Sequence, residues 1–199
     1  LAAGNIEQIE KTIAATGLDV EQLVSRHSEE TGVGGPFIAA EALSDLPDAK
    51  LRTHLAALNV KVGRWDNLET LLRVLPIGSP LEQYQVTSFF GRRTDPINGK
   101  PATHEGLDMG APSRTPIYAT APGKVTFVGR KPKYGLTVIV EHDMGFKTLY
   151  GHMRKIHVDN GERVEIGTKI GQVGTTGRST GPHLHYEIRI NDEPQDPLR

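Results

Sequence analysis

The 199-residue chain has no cysteine, which removes disulfides and thiolate metal ligands together. Any metal ion it holds must therefore be gripped by imidazole and carboxylate. Aromatics make up only 6% of the residues. No apolar run approaches the ~18 residues a membrane helix requires, so no membrane segment is expected here. Nor is there a Lys/Arg stripe interleaved with aromatics, which argues against nucleic acid as a partner. Net charge is also scarce at −1, but the near-neutral total hides an asymmetry. Residues 1–80 carry 7 Lys+Arg against 11 Asp+Glu, and residues 81–199 carry 16 against 13. The bland reading is two solvated surfaces. The sharper ones are that the acidic part docks on the basic part, or that the basic part favours an anionic polymer.

What is present divides into two textures. Residues 5–31 read as two short helices, the first begun by Asn5 with Ile6, Ile9 and Ile13 on one face, the second capped by Asp19 with Gln22 three residues on. Gly32-Val33-Gly34-Gly35-Pro36 cannot continue a helix and reads as a hinge or hairpin loop. From Asp48 to about Leu75, the residues Leu51, Leu55, Leu58, Val62, Trp65 and Leu72 recur at three- and four-residue steps, broken once by Glu69. This predicts one long helix, stopped by Pro76 and paired with residues 6–30 in a hairpin that includes His27 and His54. After Pro80 short β-branched and aromatic runs alternate with Gly, Pro and Asp/Asn turns. Strands are expected near 86–90, 117–119, 123–128, 137–142, 147–150, 169–173 and 184–190. The expected fold is therefore α+β: a helical N-terminal arm over 1–80, then a mainly antiparallel β domain over 81–199.

Six of the eight histidines lie between His104 and His185. Two clusters stand out, His104-Glu105-Gly106-Leu107-Asp108 and Gly181-Pro182-His183-Leu184-His185-Tyr186-Glu187. In a strand, residues at i and i+2 share a face, so His183, His185 and Glu187 point to one side and Leu184 and Tyr186 to the other. If Leu184 faces the core, the histidines line the opposite surface. Gly106 frees the backbone to turn His104 and Asp108 inward. Two imidazoles and one carboxylate leave a dication with net charge of about +1 and an open fourth position, the pattern of a catalytic zinc site. Spacing alone does not say whether His183 or His185 is the ligand. Glu187 is either an outer acceptor orienting an imidazole or a surface carboxylate.

Several further runs keep one register with these clusters: Ser88-Phe89-Phe90-Gly91-Arg92-Arg93, Ala121-Pro122-Gly123-Lys124-Val125, Tyr150-Gly151-His152-Met153 and Ile170-Gly171-Gln172-Val173-Gly174. From about Val86 to Pro197 the chain closely resembles the lysostaphin-like (LytM-type) zinc metallo-endopeptidases of the bacterial cell wall, whose β fold is of the duplicated hybrid motif type. The resemblance implies that His104, Asp108 and His185 bind Zn2+, and that His152 and His183 stand beside the open position as catalytic groups, with the general base unassigned between them. Departures are mild: Ser113-Arg114-Thr115 stands where a Gly-Thr pair is common, and Tyr186 replaces a frequent Phe. His142 and His157 match no motif position and are expected at the surface. The Gly174–Arg178 loop is expected at the rim of the cleft, with Arg178 solvated rather than meeting a substrate carboxylate.

The implied activity is hydrolysis of amide bonds in peptidoglycan cross-links, with D-alanyl–diaminopimelate favoured over a glycine bridge. The protein is then expected to be exported to the periplasm or cell envelope. A second hypothesis is an autoinhibited or regulatory envelope protein, in which the acidic arm or the loop at Gly34–Phe37 covers the basic cleft until a regulator moves it. A carrier or phosphotransfer module, suggested by the Gly-Lys-Val and Ile-Gly-x-Val-Gly runs, is disfavoured because no Lys sits between Met residues at a hairpin tip.

Overall fold

The computed structural model describes residues 48–95 and 98–198. The helices expected over 5–31, the hinge at Gly32–Pro36 and His27 lie outside the described residues. Helix α1 spans Ala49–Val74. Asp48 caps it, its Oδ1 accepting from the backbone N–H of Lys50 at 2.8 Å and of Leu51 at 3.4 Å, which satisfies two amides that no turn of the helix can reach. The chain leaves the helix at Leu75-Pro76, where the proline ring forbids another turn. The apolar stripe is placed differently from expectation. Leu51, Leu58 and Val62 are exposed, whereas Leu68 and Leu71 are buried. Glu69, at the next position of the stripe, is exposed and pairs with Arg73 at 2.6 Å.

The second compact unit, Val74–Arg199, holds the β structure. Its strands are β1 (Gln85–Ser88), β2 (Gly91–Thr94), β3 (Pro101–His104), β4 (Leu107–Gly110), β5 (Pro116–Tyr118), β6 (Gly123–Lys131), β7 (Gly135–Glu141), β8 (Phe146–Ile156), β9 (Arg163–Val164), β10 (Lys169–Val173), β11 (His183–Ile190) and β12 (Glu193–Gln195). The main sheet runs β1-β4-β11-β8-β7-β6-β9, with β10 joining β5 to β8 and β12 edging β11. Every pairing in it is antiparallel. Strands β2 and β3 form a separate hairpin. Val125, Val138, Val140, Met153, Ile170 and Leu184 lie in the centre of the core with no exposed surface, as alternation in β-branched strands predicts.

Strand β11 is flanked by β4 and β8 and is buried on both faces. Leu184 and Tyr186 fill the core side, while His185 and Glu187 on the other side are equally covered. The face expected to be a surface opposite the core is thus interior at His185 and Glu187, with His183 half-buried. His142 is likewise buried rather than at the surface. Its ring is fully used: Nδ1 lies 2.6 Å from the Pro122 carbonyl and Nε2 2.8 Å from Thr148 Oγ1. A hydroxyl chain continues from there through Tyr150, Thr120 and Tyr186, so a polar network crosses the core with its partners satisfied. His157 is exposed, as expected.

Candidate metal centre

His104 closes β3, Asp108 lies in β4, and His185 sits directly opposite Asp108 in the β4–β11 ladder. Sheet register alone thus brings two of the three groups together. The third arrives through the tight β3–β4 turn at Gly106. This glycine is required for space rather than for an unusual backbone angle, since its φ is not positive. A Cβ there would stand 2.4 Å from the Tyr186 carbonyl oxygen and 3.0 Å from His185 Cε1.

Among the described residues, the ligand atoms of His104, Asp108 and His185 gather into one group. Asp108 Oδ1 is 3.0 Å from His104 Nε2 and 2.8 Å from His185 Nδ1, and the two nitrogens are 3.1 Å apart. The outer partners fix the tautomers. His104 Nδ1–H donates to the Phe89 carbonyl at 2.8 Å, and His185 Nε2–H to Glu187 Oε1 at 2.9 Å. In the neutral rings this leaves His104 Nε2 and His185 Nδ1 as bare lone pairs facing a carboxylate oxygen. Three lone pairs converge with no hydrogen between them, an arrangement that calls for a cation. Ligands on a tetrahedral zinc at 2.0–2.1 Å stand about 3.3 Å apart, so the donor set fits with a small expansion.

Electrostatics agree. Burial alone would raise the Asp108 carboxyl, but His104 and His185 hold it well below the usual carboxylate range. For His185, burial favours the neutral ring, yet Asp108 and Glu187 outweigh it and raise the ring's proton affinity. A proton there supplies the positive charge that a dication would bring.

The other two predicted histidines stand beside this centre. His183 Nε2 is 3.8 Å from Asp108 Oδ1, and its Nδ1–H donates to the Gly181 carbonyl at 2.8 Å. His152 lies at a bulge in β8, where it and Gly151 share the interval opposite Thr137, between the pairs Leu136–Met153 and Val138–Tyr150. Its φ of 57° re-aims the ring out of the ladder. The His152 ring centroid is 4.7 Å from that of His183 and 5.9 Å from that of His185. Its Nδ1–H donates to the Thr176 carbonyl at 2.7 Å, leaving Nε2 as the free acceptor. Burial, reinforced by His183 and His185, lowers its pKa to about 4 despite the Thr176 contact.

Three supporting residues are absent from the predicted set. Arg93 Nη1 approaches Asp108 Oδ2 at 3.4 Å and donates to Ser88 Oγ at 2.6 Å. Tyr134 packs against His185 with the rings tilted by 56° and their centroids 5.3 Å apart, and its hydroxyl donates to Glu187 Oε1 at 2.8 Å. Arg189 donates from Nε to Glu187 Oε2 at 2.6 Å. Arg93 belongs to a motif run already singled out. For Tyr134 only its place before Gly135 in a β turn was visible. Arg178 is paired with Asp95 at 2.7 Å.

The family model for peptidase family M23 matches residues 102–197. The catalytic domain of the antimicrobial peptidase lysostaphin from Staphylococcus simulans superposes with a TM-score of 0.53 at 32% identity, over 58% of this chain and 90% of that one. The chain belongs to peptidase family M23. A zinc-containing peptidase from Vibrio cholerae superposes with a TM-score of 0.57 at 40% identity, over 60% of this chain and 38% of that one. In sequence, the chain is 47% identical over 119 residues to the DD-carboxypeptidase/endopeptidase Mpg of Neisseria meningitidis, covering 60% of this chain and 27% of Mpg. It is 40% identical over 116 residues to the peptidoglycan DD-endopeptidase ShyB of Vibrio cholerae, covering 58% of this chain and 27% of ShyB. The chain thus spans about a quarter of the length of these relatives. The α+β arrangement, with a helix before a mainly antiparallel sheet, is as expected.

Proposed function

We propose that this chain is a zinc-dependent peptidoglycan endopeptidase that hydrolyses the D-alanyl–diaminopimelate amide of cell-wall cross-links, acting after export in the cell envelope. One observation carries the reading: three buried lone pairs from His104, Asp108 and His185 converge beside two further histidines whose free Nε2 atoms are not committed elsewhere by their Nδ1 hydrogen bonds. The names of the relatives, both endopeptidases, support the substrate class.

His104 Nε2, Asp108 Oδ1 and His185 Nδ1 would hold the zinc. When bound it supplies Lewis acidity, activating water and polarising the scissile carbonyl near neutral pH. The protein's own part is proton transfer and charge stabilisation. His152, kept neutral by burial, offers Nε2 to accept a proton from the attacking water. His183, its ring anchored on the Gly181 carbonyl through Nδ1–H, would in its protonated form donate from Nε2–H to the oxygen that gains charge. The converse assignment uses the same atoms. The Phe89, Thr176 and Gly181 carbonyls and the Glu187 carboxylate fix the tautomers on which all of this depends.

Mass spectrometry of defined cross-linked muropeptides treated with zinc-loaded protein tests the proposal. Cleavage of the D-alanyl–diaminopimelate bond is expected, and His183→Ala should retain zinc while losing turnover. Intact cross-links with the wild-type protein, or loss of zinc in the variant, would contradict the reading.

A further inference from the structure

Glu187 is an ionisable residue with no exposed surface, and it meets three other side chains. Its Oε1 accepts from His185 Nε2 at 2.9 Å and from the Tyr134 hydroxyl at 2.8 Å. Its Oε2 accepts from Arg189 Nε at 2.6 Å. The same guanidinium reaches onward through Nη2 to Glu105 Oε2. Glu105 lies between His104 and Gly106, on the turn that delivers the first two metal ligands. Tyr134 lies before β7, and its backbone carbonyl accepts the N–H of His152 at 2.7 Å. One buried carboxylate is therefore bonded to a ligand, to the residue that anchors the His152 backbone, and through one arginine to the turn bearing the remaining ligands.

A buried carboxylate is costly unless its lone pairs are used by strong donors. Here all the donors are oriented. Arg189 is two residues along β11 from Glu187 and so on the same face, and its guanidinium serves two carboxylates, Glu187 through Nε and Glu105 through Nη2. The second anion also changes the charge balance. The ligand set carries one negative charge against two on zinc, and the ionised Glu187 beside His185 offsets the surplus that would otherwise face the protein interior.

We propose that Glu187 is the positioning residue of the metal centre. It holds His185 in the tautomer that presents Nδ1, and with Arg189 it clasps strand β11 to the Glu105 turn so that the two halves of the ligand set keep their spacing. The proposal rests on the zinc reading given above, but its test does not require turnover. Glu187→Gln keeps the shape while removing the charge. Its amide can still accept from His185, but its NH2 must then face the Arg189 donor, so one of the contacts is lost. Arg189→Met leaves the Glu187 bonds to His185 and Tyr134 in place and removes the donor to Glu187 Oε2, the bond to the Asp192 carbonyl and the tie to Glu105. Tyr134→Phe removes a single donor.

Zinc dissociation constants from chelator competition, with circular dichroism to verify folding, are the primary readout. Nitrogen chemical shifts of His185 in the metal-free protein report its tautomer. Glu187→Gln should weaken zinc binding by about 10- to 100-fold, the range typical for loss of an outer partner, and mix the His185 tautomers. Arg189→Met should weaken zinc binding to a lesser degree with the tautomer retained, and Tyr134→Phe least. With zinc in excess, kcat should recover to within a few-fold of wild type, because the role is exerted through His185. If the folded variants bind zinc as tightly as wild type with His185 unchanged, the clasp is wrong. Should Glu187→Gln fail to fold, the Arg189→Met affinity decides: unchanged binding overturns the proposal and weakened binding sustains it. Failure of the wild-type protein itself to bind zinc would refute the underlying zinc reading, a result these comparisons keep separate.

Discussion

Replacing Gly106 by alanine adds one methyl group and removes no ligand, so its effect isolates geometry from chemistry. The new Cβ would lie 2.4 Å from the Tyr186 carbonyl oxygen, 2.9 Å from Glu187 Cγ and 3.0 Å from His185 Cε1. An ordinary carbon–oxygen contact is about 3.3 Å, so the turn must retreat by about 1 Å. The carbonyl cannot give way cheaply, because Tyr186 is paired with Leu107 in the ladder that also sets His185 opposite Asp108. Overpacking of this kind costs about 1–3 kcal/mol of stability. The larger consequence falls on the site, because metal–ligand distances tolerate only about 0.2 Å and a misplacement of about 1 Å can cost about 100-fold in rate. Gly106→Ala should therefore lower the melting temperature modestly, weaken zinc binding at least tenfold, and reduce turnover of cross-linked muropeptides by about two orders of magnitude. Thermal melts, chelator competition and timed digests measure the three separately. A folded variant that binds zinc and cleaves within about threefold of wild type would refute the close-approach argument.

The other predictions concern charge and protons. Asp108→Asn removes the only anion in the ligand set; it should abolish stoichiometric zinc binding by elemental analysis while leaving the far-ultraviolet spectrum unchanged. His152→Ala should keep zinc and lose about 10²–10⁴ in kcat, the usual contribution of a positioned acid–base group. Zinc competes with a proton whose affinity for His185 is raised, so bound zinc at a fixed total should fall as pH drops from 7 towards 5; affinity independent of pH over that range would contradict the ligand assignment. His142 has its pKa lowered by burial, against the raising influence of the Pro122 carbonyl. The unfolded chain therefore binds the proton more readily. This destabilising contribution is absent above about pH 6.5 and grows as pH falls towards the folded-state value. The melting temperature of wild type should drop more steeply with acid than that of His142→Gln, and parallel curves would show that His142 is not the group involved. If the acidic arm shields the basic cleft, removing residues 1–73 should raise turnover on purified sacculi. The cut belongs there because Gly78 and Pro80 bond to Thr120 and Tyr118 in the β unit; unchanged turnover would dismiss shielding.

Much of the site was legible because its spacings are local. His104 and Asp108 are four residues apart, and His183 and His185 share a strand face, so the clusters could be read before their meeting was seen. The strands that were legible are those whose alternation is apolar, such as β7 and β10. Of the five unread strands, β9 and β12 have only two and three residues, and β2 (Gly91-Arg92-Arg93-Thr94), β3 (Pro101-Ala102-Thr103-His104) and β4 (Leu107-Asp108-Met109-Gly110) carry polar residues on the face turned to the site. Strand β11 was read despite its site residues because Leu184, Tyr186, Ile188 and Ile190 keep the apolar alternation, whereas the four-residue strands β2, β3 and β4 have too few apolar positions for propensity to mark them.

The same reasoning explains the misplacement of His142 and the hesitation over Glu187. Polarity in a single sequence argues for solvent, because an unpaired buried imidazole or carboxylate is costly. Burial becomes acceptable only when partners arrive, and beside near neighbours (Thr148 for His142, His185 and Arg189 for Glu187) each residue uses one from farther along the chain: Pro122 is 20 residues from His142, and Tyr134 is 53 residues from Glu187. Such partners follow from sheet register, which one-residue slips would invert. The Tyr134–Glu187 bond joins the segment preceding β7 to β11, two strands that are not neighbours but flank β8 on either side. It therefore reports the β8 bulge directly. Straightening β8 at Gly151–His152 would shift β7 relative to β11 and separate Tyr134 from Glu187 while turning the His152 ring away. The bulge that aims His152 and the carboxylate that holds His185 are consequences of one sheet geometry, and a variant that repairs the bulge should disturb both histidines together.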